Sequence, residues 1–113
     1  MRFAVIREQG PGWDVSHAMR DQQHWPEHVT YINGAADEGF LVLAGPLGES
    51  GSDADPAAAV GEGRVYRALL IVNAATAADA TKRLDEDPWT RSRVLETKAI
   101  HRWEVLVGEL PAP

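Results

Sequence analysis

Cysteine is absent from the 113 residues, so a disulfide framework, a thiol nucleophile and a thiolate metal site are all excluded. Lysine is scarce too, with Lys82 and Lys98 beside nine arginines, and no run of basic residues occurs. With 17 acidic against 11 basic side chains and a formal charge of −6, the chain lacks the positive stripe that a phosphate backbone needs. Nucleic acid is therefore not an expected partner. Long apolar runs are missing as well. Phe3-Ala4-Val5-Ile6 is four apolar residues between two arginines, far short of a signal-peptide core or of the ~20 residues that span a bilayer. No membrane association is expected, and a cytoplasmic location is.

What the chain does have is a regular sequence of short apolar segments separated by glycine and proline. The length suits one domain, 1–113. Arg2 to Glu8 reads as a strand stopped by Gly10-Pro11-Gly12. Trp25, Val29, Ile32 and Ala36 recur at helical spacing, which predicts a helix from Pro26 to Glu38 with Gly39 at its C-cap. The intervening Trp13 to His24 fits a short helix or an ordered loop. Phe40 to Ala44 is a continuous apolar run ended by Gly45-Pro46, a strand apolar on both faces. Residues 49–63 mix Gly, Ser, Asp, Ala and Pro as a flexible loop, and Val65 to Val72 is a second two-faced strand. Thr76-Ala77-Ala78-Asp79 resembles a capping box that opens a helix from Ala77 to about Glu86. A short helix is possible over Pro88 to Leu95. Thr97 to Val107 alternates as a last strand, with Ala99, His101, Trp103, Val105 and Val107 on one side.

The order β-α-β-β-α-β predicts a ferredoxin-like α+β fold: a four-stranded antiparallel sheet with both helices on one face. The other face keeps too much aliphatic surface for a soluble monomer, which predicts a homodimer built sheet against sheet. The same topology brings the start of the first helix, the end of the second strand, the start of the third and the end of the second helix to one edge. His28, Gly45-Pro46, Arg64 to Arg67 and Asp87 converge there.

An imidazole and a carboxylate beside a glycine-lined backbone suit proton transfer on a small molecule. His28 could equally be a boundary histidine with one structural hydrogen bond, and Asp87-Pro88 could simply end a helix in an Asx-turn. Arg20, Arg64 and Arg67 could each bind a carboxylate or phenolate, although arginine is more often solvated. Arg67 is the one expected to bind substrate, together with Gly45, Pro46 and Trp89. Core packing is the better reading of Trp103. His24 and His28 stand four apart, but Pro26 lies between them and no diagnostic acidic residue accompanies them, so no metal is expected. Ser16, Ser50 and Ser52 form no nucleophile pattern, and the glycines form no phosphate loop.

Phe3-Ala4-Val5-Ile6, Glu27-His28-Val29, Glu38-Gly39-Phe40 running to Ala44-Gly45-Pro46, Asp87-Pro88-Trp89, and Trp103 near the end together cover almost the whole chain. In this order and spacing the chain resembles the YciI-like (YCII-related) family of the dimeric α/β-barrel superfamily. The resemblance implies a ferredoxin-like dimer with His28 and Asp87 as a catalytic pair. It also implies a cofactor-free reaction of lyase or isomerase type on a small molecule. Cofactor-free monooxygenation and a non-catalytic binding or accessory module are the alternatives that the same pocket allows.

Overall fold

The structure, a computed structural model, describes residues 1–109. Four strands, β1 (Arg2–Gln9), β2 (Leu41–Leu47), β3 (Arg67–Asn73) and β4 (Leu95–Arg102), form one antiparallel sheet in the order β2-β3-β1-β4. The helices are α1 (Trp25–Asp37), α2 (Ala77–Leu84) and the single turn α3 (Pro88–Arg91). This is the ferredoxin-like α+β arrangement. Among the described residues no helix is long and apolar enough to cross a membrane.

Local sequence explains most element ends. Thr76 accepts a hydrogen bond from the Asp79 N–H and starts α2, while Gly39, at φ +82°, takes the left-handed position that closes α1. Gly10 and Gly12 have a different task. Both pack on the turn after α3, with their N–H groups donating to Val94 O and Arg93 O at 2.9 Å, and a Cβ at either would run into the backbone of Ser92 and Arg93. The end of β1 is thereby fixed against the α3–β4 turn.

Several boundaries differ from the sequence reading. β2 continues through Gly45 and Pro46 to Leu47, because β2 is an edge strand and proline there forfeits no ladder bond. α2 ends at Leu84 rather than Glu86. α3 stops at Arg91 rather than Leu95, with Arg93 in a left-handed turn (φ 60°). β4 begins at Leu95 and ends at Arg102, so Trp103 leaves the sheet and is half exposed instead of packing in the core. Residues 13–24 form turns around a 3-10 segment, Met19–Asp21, with Trp13, Met19 and Gln22 buried. The 49–63 loop carries a turn capped by Asp55 and docks through Gly61 N–H to Val15 O.

The two faces of the sheet are unlike. On the helix side Phe3, Val5, Leu70 and Val72 pack with Ala80, Leu84 and Trp89, all nearly inaccessible. Each such aliphatic burial contributes about 1.5–3 kcal/mol. On the other side Ala4, Leu43, Leu69, Ile71 and His101, bordered by Trp103 and Val105, line an apolar groove of about 640 Å³ that is open among the described residues.

Candidate active site

At the sheet edge where α1 begins, a smaller cavity of about 170 Å³ lies between α1 and the strands. Its wall includes Trp25, His28 and Ile32 from α1, Gly45 and Pro46 from β2, and Arg7 from β1. Met19 and Tyr66 also line it, so the 13–24 segment helps to enclose the space. The inward face of α1 is Trp25, His28, Ile32 and Ala35, one residue out of phase with the Val29–Ala36 stripe, since Ala36 is exposed. His28 consequently sits on the buried face rather than at its border.

His28 Nδ1 lies 2.9 Å from each carboxylate oxygen of Asp87. A carboxylate only accepts, so Nδ1 carries the proton, and in the neutral ring Nε2 is then the bare nitrogen. The imidazole stacks on the buried indole of Trp89, with centroids 3.9 Å apart and planes 9° from parallel. The Trp89 indole N–H in turn donates to Gln23 O at 2.8 Å. One stacked indole and one carboxylate therefore fix the ring.

Asp87 is wholly buried and does two jobs. It caps α3, with Oδ1 accepting from the Trp89 N–H at 2.9 Å, and it holds His28. Its Oδ2 also meets Arg7 Nη1 at 2.9 Å, and Arg7 is equally inaccessible. Arg7 Nη2 bonds Thr90 Oγ1. Burial pushes the Asp87 carboxyl upward, but the hydrogen bond and charge of His28, the Trp89 N–H and Arg7 together hold it below the ordinary carboxylate value. Burial raises the Tyr66 phenol to about 12, so it stays neutral at the cavity wall.

Of the residues expected at the site, His28, Asp87, Gly45 and Pro46 are brought to this edge. Gly45 leaves open space where a Cβ would stand. Trp89 backs His28 instead of lining the cavity. Arg67, expected to bind substrate, does not join them: it faces its cross-strand neighbour Glu8, with Nε 3.1 Å from the carboxylate. Arg20 and Arg64 are exposed. His24, in a left-handed turn before α1, pairs with Glu27 in solvent. Arg7 was missed, although its alternation with Phe3 and Val5 along β1 placed it on the core face.

No protein-family model and no curated protein matches the sequence. A solved structure does match the fold. The 5-chloro-2-hydroxyhydroquinone dehydrochlorinase of Burkholderia phenoliruptrix, determined with 2,5-dihydroxybenzoquinone, superposes with a TM-score of 0.64. The match covers 92% of this chain and 94% of that one, at 19% sequence identity. The two chains share an architecture over nearly their full lengths.

Proposed function

We propose that the chain is a cofactor-independent enzyme of lyase or isomerase type, a member of the YciI-like family, in which His28 oriented by Asp87 moves a proton on a small cyclic phenol or organic acid. The observation that carries this reading is the paired 2.9 Å contact from Nδ1 to Asp87, which commits that nitrogen and frees Nε2 beside the cavity. Nε2 takes a hydroxyl or C–H proton. The electron pair left behind expels a leaving group from the ring, completing elimination, or accepts the proton back at another carbon, completing isomerisation. A cavity of about 170 Å³ walled by aromatic and aliphatic side chains suits a single-ring molecule. The dehydrochlorinase with the same fold acts on a single-ring quinol, which supports that substrate class.

The test is turnover of a panel of hydroxylated and halogenated quinols and small hydroxy acids by the wild type, His28→Ala and His28→Gln. General acid-base catalysis supplies ~10²- to 10⁴-fold, and both substitutions remove it. The Gln amide still donates to Asp87 and keeps the fold. Turnover by a folded His28→Gln protein would overturn the assignment, as would quinols that bind to the wild type and return unchanged.

The apolar groove on the open sheet face supports a homodimer formed face to face. Leu43→Glu, on the edge-strand side of the groove and half exposed in the single chain, then yields a monomer by analytical ultracentrifugation.

A further inference from the structure

We infer that Arg7 is a positioning residue that acts through Asp87: it neutralises the carboxylate at Oδ2, so that the imidazole is kept as a neutral, Nδ1-protonated base. The catalytic value of this role rests on the reading of His28 given above; the charge coupling itself does not.

The argument begins with charge. Asp87 and Arg7 are both wholly inaccessible and 2.9 Å apart, so the carboxylate already has a full counter-charge before His28 is considered. Protonating His28 would then leave a net positive charge in a buried cluster. Without Arg7 the protonated imidazole would be the sole counter-ion of a buried carboxylate, and its formation would be favoured. Among the described residues, the other titratable groups near His28 do not replace this cation. Tyr66 lies across the cavity and Tyr31 on the same helix, both pushed up to about 12 mainly by burial and hence neutral, while His24 and Glu27 pair with each other in solvent.

Stability alone is a poor reason for an arginine here. Phe3 and Val5 occupy the same face of β1, and an aliphatic residue at position 7 would extend that core. A buried ion pair is seldom more stabilising than packed hydrophobes of equal volume. Arg7 also carries an unmet need, since its buried Nε has no hydrogen-bond partner among the described residues. The guanidinium is held in place by α3: Thr90 Oγ1, which Arg7 contacts, itself donates to Leu84 O at 2.8 Å.

The experiment is an NMR titration of the His28 ring, which needs no substrate. Arg7→Met raises the His28 pKa by about one unit or more, and Arg7→Lys leaves it near the wild-type value. The comparison is repeated in the Asp87→Asn background, where the isolated guanidinium repels the imidazolium and its removal in Arg7→Met/Asp87→Asn again raises the pKa. Arg7→Gln, which keeps a hydrogen-bond donor towards Asp87 but no charge, decides the matter if Arg7→Met alone does not fold. An unmoved His28 pKa in the comparison that folds overturns the inference. In a wild type that turns over substrate, the acid limb of the kcat/KM profile moves upward by the same amount in Arg7→Met. A wild type without turnover but with the expected titration would sink the proposed function and leave the coupling standing.

Discussion

Two arginines in this protein each stand between two acceptors, at least one of them far away in the chain, and they differ in almost everything else. Arg83 on α2 bridges Glu38 at the end of α1 and Glu86, and it lies over the rings of Tyr31 and Phe40 at 5.8 and 5.4 Å. Glu38 and Glu86 are both more than half exposed. Arg7 stands with Asp87 and His28 in a cluster from which water is excluded on the arginine and aspartate sides. In solvent, attraction is largely offset by screening and by the entropy of ordering long side chains. In the interior each charge depends on the other for its existence. The same residue type is thus a surface clasp in one place and the determinant of a neighbour's protonation in the other.

Breaking the buried cluster gives the largest expected effect. Asp87→Ala removes the cap of α3, strands Arg7 and frees the imidazole, and it lowers unfolding free energy by about 3–5 kcal/mol in urea titrations. Acid sharpens the same contrast. The folded Asp87 carboxyl lies below its ordinary value, so its contribution is fully present above the unfolded pKa of about 3.9 and is lost as pH falls through the folded value. The stability gap between wild type and Asp87→Asn, measured by urea midpoints, therefore narrows from pH 6 towards pH 3. The smallest effect is at the surface: Arg83→Ala costs about 1 kcal/mol, less in 1 M salt, while an equal salt dependence for the two clusters would abolish the distinction drawn between them.

How far the sequence could be read follows the same division between pattern and context. The fold was legible because strand and helix periodicities and the turn residues all agreed, and topology then placed the start of α1, the Gly45-Pro46 segment and Asp87 at one edge. Element order carries that information. Side-chain direction near strand ends is less visible. Arg67 looked available, but strand pairing sets it opposite Glu8, whose charge it meets. Arg7 read as the charge that ends an apolar run, because only the partner 80 residues later explains how an arginine tolerates the core. Trp103 was assigned to the core by an alternation that continues past the last residue β4 can pair, Arg102 opposite Phe3.

The close seating of Gly10 and Gly12 on the turn after α3 ties the first tenth of the chain to residues beyond position 90. The cluster at Asp87 has the same long reach, since its partners lie 59 and 80 positions away. Closing such loops carries an entropic cost that nearby contacts do not offset, so this corner forms when the chain as a whole does. The Trp89 amide, bonded to Asp87 Oδ1 at the centre of that corner, should exchange its hydrogen only when the entire molecule unfolds, and its protection then measures the global stability.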